Sequence, residues 1–108
     1  MQENINISFC QGVLTAKPCR DLDHHTAKPI REKIDREIFN YKPRVLVIDF
    51  SSVGFMDSSG IGLILGRVDL ASALGATVRV CGLSDSLMKL LRLSGLDRVK
   101  NLTVMKSI

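Results

Sequence analysis

The run Arg44 to Leu74, RVLVIDFSSVGFMDSSGIGLILGRVDLASAL, decides the fold. It opens on Val45, Leu46, Val47 and Ile48, a continuous aliphatic and largely β-branched run of the kind a buried strand carries. Ser51 to Gly54 is turn-prone, and from Asp57 the period changes. Ile61, Ile64, Leu65, Val68 and Ser72 fall on one stripe when each residue advances by about 100°, the rotation of an α-helix. Asp57 and Ser58 stand where an N-cap belongs, because short oxygen-bearing side chains accept from the backbone N–H groups of a first turn. Asp57 either is the cap itself or orients the Ser58 hydroxyl. A strand, a tight loop and a helix that begins on a hydroxyl are therefore expected.

That helix carries Gly62 and Gly66 one turn apart, on a flank beside the apolar stripe together with Asp69 and Ala73. A glycine inside a helix costs about 1 kcal/mol relative to alanine, so a pair of them asks for a reason. One is close packing by another element of the same chain. The other is a partner that needs a flat face next to Ser58. A phosphate on Ser58 suits the second account. The helix start, with free N–H groups and the positive end of the macrodipole, tolerates an anion. The same phosphate adds about two negative charges and bulk at the rim of the flat face, which a partner would feel.

A chain of 108 residues makes one domain, 1–108, with a single core. Its 45% hydrophobic and 24% charged residues are those of an ordinary soluble globular protein. Apolar runs stay far short of the ~20 residues that span a bilayer. The start, MQENINISF, has neither a basic region nor an apolar one, so no secretory signal is expected and the cytoplasm is the expected location. Cys10, Cys19 and Cys81 are odd in number and widely spaced, which favours reduced thiols over a disulfide frame or a zinc site. The net charge of +4 is carried by scattered Lys and Arg residues without interleaved aromatics. This gives nucleic-acid binding little support, although a positive surface suits an acidic protein partner.

From the N-terminus, Ile5, Ile7 and Phe9 alternate with polar residues as in a half-buried strand. Gln11-Gly12 is a tight turn, and Val13 to Ala16 returns as a second strand that Pro18 ends or confines to an edge. After the polar loop Arg20 to His25, Ala27, Ile30, Ile34 and Ile38 mark a first helix, broken at Tyr41-Lys42-Pro43. Gly75 stops the central helix, and Thr77 to Cys81 is a further short strand with Val78 and Val80 on one face. Ser84 caps a third helix carrying Leu87, Leu90, Leu91 and Ser94 and closed by Gly95, and Val99, Leu102 and Val104 suggest a last strand. The order β-β-α-β-α-β-α-β predicts a single α/β domain with a mixed sheet, its later strands parallel, and helices packed on it. In such sheets the loops after strand C-termini carry the sites. Two loops qualify, Arg20 to His25 and Ser51 to Gly60.

Phe55 to Arg67, F-M-D-S-S-G-I-G-L-I-L-G-R, and Asp21 to Ala27, D-L-D-H-H-T-A, resemble the signatures of the anti-sigma factor antagonists of the STAS family, close to the sporulation type of spore-forming bacteria. Arg92 to Val99, R-L-S-G-L-D-R-V, resembles the segment that follows the family's third helix. The similarity covers nearly the whole length. It implies a STAS domain, not an enzyme, that binds an anti-sigma factor and so frees a sigma factor. The anti-sigma factor is also a serine kinase that inactivates the antagonist by phosphorylating one serine, and a serine phosphatase restores it. On the D-S-S-G motif that serine is Ser58, with Asp57, Ser59, Gly60, Gly62, Gly66 and Asp23 as the expected partner-binding residues. The family's usual glycine before the acidic-Leu-Asp triplet is Arg20 here, and Pro18 and Cys19 interrupt the preceding strand.

Each residue also has a plainer role. Ser58 suits a simple helix cap, Asp23 an N-cap of the first helix, and Met56 packing beneath the loop. His24 and His25 lack a third ligand, so no metal or cofactor is expected. A serine hydrolase built on Ser58 would need a G-x-S-x-G elbow and a glycine-rich oxyanion segment, and a phospho-aspartate receiver would need an acidic pair after the first strand. Neither feature is there, nor is a P-loop. A ligand- or partner-sensing STAS module without the kinase switch is the remaining alternative.

Overall fold

The computed structural model describes residues 4–106. Strands β1 (Ile5–Cys10) and β2 (Val13–Pro18) pair antiparallel across Gln11-Gly12. Both turn residues have positive φ, 50° and 81°, the backbone a two-residue hairpin needs to match strand twist. A Cβ on Gly12 would lie 2.6 Å from Arg44 Nε, so a larger residue there would displace the Arg44 side chain. The Arg44 guanidinium instead donates to the Gln11 carbonyl at 2.7 Å, closing the turn.

Beyond the hairpin the chain runs α1 (Ala27–Tyr41), β3 (Val45–Asp49), α2 (Ser58–Ala73), β4 (Thr77–Cys81), α3 (Asp85–Leu93), a 3-10 turn (Leu96–Arg98) and β5 (Leu102–Val104). The sheet order is β1-β2-β3-β4-β5, parallel from β2 onward. This is the mixed α/β sheet that the order of elements predicted. Its registers put Leu14, Leu46 and Val78 in one row and Ala16, Ile48 and Val80 in the next. All six are buried, whereas Thr15, Val47 and Arg79 on the opposite face are not. Helix α1 lies against the hairpin strands and α2 against β4, and the two helices touch each other. Leu87, Met88 and Leu91 of α3 join the same core.

Pro18 ends β2, but the strand sits inside the sheet and not at its edge. Pairing with β3 stops at Ala16, so the missing proline N–H removes no bond from that ladder. Helix α1 buries the residues its spacing marked, Ala27, Ile30, Ile34 and Ile38, and ends on Lys42, whose N–H reaches the Ile38 carbonyl at 2.8 Å. Ser84 caps α3 through the Leu87 N–H at 3.2 Å. Gly75 and Gly95 follow their helices at φ 76° and 79°.

Helix α2 corrects the expected stripe. Its buried residues are Gly60, Leu63, Ile64, Arg67, Val68 and Ala71. Ile61 is only half-buried, Leu65 is 37% exposed and Ser72 faces solvent. Apolar residues occur on every side of this helix, so periodicity could not choose among faces. The choice falls to the small residues Gly60 and Ala71, which let the helix settle closely. The exposed stripe runs Ser58, Gly62, Leu65, Asp69.

Candidate functional site

The loop between β3 and α2 is held at both ends. The Ser51 N–H donates to Asp49 Oδ1 at 2.9 Å and the Val53 N–H to the Phe50 carbonyl at 2.9 Å. Fully buried Phe50 anchors the turn from below. Farther along, the loop meets the segment that precedes α1. The Leu22 N–H donates to the Phe55 carbonyl at 2.9 Å, and the Asp57 N–H to the Leu22 carbonyl at 3.0 Å. This is a one-residue parallel bridge between Leu22 and Met56, both buried. Asp21 adds its carboxylate, accepting from the N–H groups of Gly54 at 2.9 Å and Phe55 at 3.2 Å. The two candidate loops thus form one unit. Sequence inspection missed Asp21, although alternation in D-L-D sends Leu22 inward and the two carboxylates outward.

On this platform α2 starts. Asp57 is its N-cap, with extended backbone and a carboxylate that accepts from the Ser59 N–H at 2.8 Å. The Gly60 N–H is taken by the Asp57 carbonyl at 3.0 Å. The helix start is therefore less open to an anion than the sequence suggested, because Asp57 already serves Ser59 and Gly60. Capping by Asp57 leaves Ser58 without a structural task. It is exposed, and its hydroxyl makes no hydrogen bond among the described residues.

The glycines divide into two kinds. A Cβ on Gly60 would lie 2.7 Å from Met56 Sδ and 2.9 Å from Met56 Cβ, and Gly60 is buried. Its smallness serves Met56, so internal packing alone accounts for glycine at this position. Around Gly62 and Gly66 a Cβ would meet nothing within 4 Å. Close internal packing does not account for them. Phe55, 56% exposed, lies on the loop that leads into Ser58.

Asp23 is tied into its own loop. Its Oδ1 accepts from the N–H groups of His25 at 2.8 Å and Thr26 at 2.9 Å, and from the Thr26 hydroxyl at 3.3 Å. The Thr26 and then the His25 N–H hold this carboxyl below its usual range. Asp23 orders the entry into α1. His24 and His25 meet edge to face, ring centres 5.6 Å apart.

Behind Ser59 and Gly62 a cleft of 470 Å³ separates α2 from the start of α1, lined by His24, Ala27, Lys28, Arg31, Ser59, Gly62 and Leu63. One turn farther along, Arg67 of α2 is 7% exposed, with its Nε 2.8 Å from Asp35 Oδ1 of α1. The N–H does not point along the line of a hydrogen bond, and Nη1 is buried without a partner. Burial pulls the Arg67 pKa down, the Asp35 charge acts against that, and nearby Arg31 lowers it further. The sequence signal for the cleft is the spacing of Lys28 and Arg31, three residues apart on the polar side of α1.

The STAS domain profile matches residues 4–106. The chain is 34% identical over 99 residues to the anti-sigma F factor antagonist of Paenibacillus polymyxa, covering 92% of this chain and 85% of that protein. It is 36% identical over 76 residues to the anti-sigma F factor antagonist of Lysinibacillus sphaericus, covering 70% and 65%. Among solved structures it resembles the anti-sigma factor antagonist SpoIIAA in its unphosphorylated form, with a TM-score of 0.78 and 28% identity over 93% of this chain and 86% of that one. The phosphorylated form of the Bacillus cell fate determinant SpoIIAA gives a TM-score of 0.70 at 28% identity, covering 93% and 89%. With a profile match across nearly its whole length and a relative above 30% identity along most of both chains, this protein belongs to the STAS domain family.

Proposed function

We propose that the protein is an anti-sigma factor antagonist. Its unphosphorylated form binds an anti-sigma factor that is also a serine kinase, and the sigma factor is released for transcription. Phosphorylation of Ser58 turns the antagonist off, and a serine phosphatase turns it back on. The exchange takes place in the cytoplasm and involves neither nucleic acid nor a cofactor bound to this chain. Among the described residues no helix is long and apolar enough to cross a membrane.

The observation that carries this proposal is the division of labour at the start of α2. Asp57 caps the helix, so the exposed Ser58 hydroxyl is left over for chemistry. Gly62, one turn on, leaves open space where a partner can approach. The relatives named above are antagonists of anti-sigma F factors, and SpoIIAA exists in a phosphorylated form. A kinase reaching Ser58 needs an accessible hydroxyl on a rigid support, and the paired loops supply the support. Asp57, Ser59, Gly62 and Gly66 surround the acceptor as the contact surface, and Asp23 holds the neighbouring loop.

The test is incubation with the cognate kinase and ATP, followed by peptide mass spectrometry. One phosphate per chain on Ser58 is expected, with Ser58→Ala unlabelled yet still bound to the kinase. A phosphate on Ser59, Ser84 or Ser94 instead, or undiminished binding by the phosphorylated chain, refutes the proposal.

A further inference from the structure

We infer that the cleft between α1 and α2 seats an acidic segment of the kinase partner, extending the contact from Ser58 across onto α1. The inference rests on the function proposed above and adds a second half to the interface. Its basis is charge. His24, Lys28 and Arg31 line the α1 side of the cleft and all three are exposed. The salt bridges among the described residues, Lys33–Glu37, Arg67–Asp35 and Lys106–Asp85, leave Lys28 and Arg31 out. Glu32 stands at helical spacing from Lys28 but forms no ion pair with it. Arg67, farther along the same interhelical seam, is already paired with Asp35 and buried, so the free positive charge of the cleft is that of Lys28 and Arg31.

Such a surface repels a cation and attracts a carboxylate, and the attraction strengthens as a partner excludes water. The α2 side of the cleft is Ser59, Gly62 and Leu63, so the floor is contiguous with the Ser58 surface. That continuity supplies a reason for glycine at position 62. Any side chain there would project into space left open and fill the cleft from below. A protein segment is favoured over a free nucleotide because the cleft opens beside Ser58, where the kinase of the proposed function must sit, through Ser59 and Gly62 of its lining.

The experiment measures binding of the full unphosphorylated chain to its cognate kinase over a range of salt concentrations. Three variants are compared: Lys28→Glu with Arg31→Glu, the neutral pair Lys28→Gln with Arg31→Gln, and a control of equal charge change, Lys89→Glu with Lys100→Glu. The reversed cleft pair should weaken binding by about tenfold and flatten the salt dependence, since close interfacial charges act in this range. The neutral pair should lose less, and the control should stay within about twofold. Equal losses in control and cleft variants, or unaltered binding by the cleft variants, overturn the inference and leave the role of Ser58 intact. Failure of the wild-type chain to bind the kinase overturns both. Calorimetric binding of inorganic phosphate or ADP to the chain alone, lost in the cleft variants, would assign the cleft to an anion and overturn the protein-segment assignment.

Discussion

Replacing Gly62 by alanine should make the protein more stable. A glycine in a helix interior costs about 0.5–1 kcal/mol relative to alanine, because the unfolded chain is freer and the backbone more exposed. The new methyl would meet nothing within 4 Å and so brings no strain. Gly66 has the same open surroundings, so the double variant should gain about 1–2 kcal/mol. For a domain of this size that raises Tm by about 4–8 °C, at roughly 4 °C per kcal/mol. Gly60→Ala runs the other way. Met56 Sδ is a movable side-chain end, but Met56 Cβ at 2.9 Å is not, and overpacking of this sort costs about 1–3 kcal/mol.

Urea and thermal unfolding of the three variants read both signs directly. Gly62→Leu extends the test, since leucine is also a better helix former than glycine. It should stay folded yet bind the kinase poorly. The reasoning fails if Gly62→Ala lowers Tm, because the glycine would then serve packing. It also fails if Gly62→Leu binds as the wild type does, because the open face would then not be an interface.

Asp57→Ala should cost about 1 kcal/mol by urea unfolding, and Asp57→Asn almost nothing, since asparagine caps as well as aspartate. Asp23→Asn keeps an acceptor for the His25 and Thr26 N–H groups but removes the charge; slower phosphorylation with an unchanged Tm would assign the charge to kinase recognition, and unchanged kinetics would leave Asp23 a loop-ordering residue. The pH dependence has a definite sign. Asp23 sits below the ordinary value of 3.8 in the folded protein, so its contribution is complete above that value and is lost as pH falls through the lowered one. An Asp23→Asn chain should therefore lose less stability than the wild type on acidification below 3.8, read by thermal unfolding. Arg67→Ala should destabilise the domain by about 3 kcal/mol or more, whereas Arg67→Met should cost less by filling the same space.

What was legible in the sequence follows polarity contrast. Helix α1 alternates charged and aliphatic positions, so Ile30, Ile34 and Ile38 declare its buried face. The run Val45 to Asp49 has only one reasonable geometry, and Gly75 and Gly95 mark ends that need positive φ. In α2 the contrast is missing. With Ile61, Leu63, Ile64, Leu65 and Leu70 pointing all ways, the face is set by where Gly60 permits contact with Met56. Buried Arg67 could not be foreseen for the same reason, its partner Asp35 lying on another helix. The union of the two loops depends on Asp21 meeting Gly54 and Phe55, 33 and 34 residues away, which no local pattern encodes. The place of Ser58 at the start of α2 was legible because the change from strand to helix period falls there. The packing role of Gly60 was not legible, because a glycine in a sequence does not reveal what would occupy the place of its side chain.

The start of α2 also constrains how a phosphate on Ser58 could act. An anion in the first turn of a helix gains about 0.3–1 kcal/mol from the macrodipole. Here the Asp57 carboxylate already holds the Ser59 N–H, and a phosphate of about two charges roughly 6 Å from it is repelled by about 1.4 kcal/mol even in a water-like dielectric. The repulsion slightly outweighs the gain, so the phosphorylated chain should be less stable to urea than the unphosphorylated one by no more than about 1 kcal/mol. In an Asp57→Asn background the repulsion is gone and the cap is kept. There phosphorylation should stabilise the domain, by up to about 1 kcal/mol. Binding should be lost on phosphorylation in both backgrounds, because the added charge and bulk sit on the exposed side of Ser58 whatever they do to the helix. If phosphorylation instead removes several kcal/mol of stability, the switch works by loosening the domain. A phosphate that leaves stability level while abolishing binding acts at the contact surface alone.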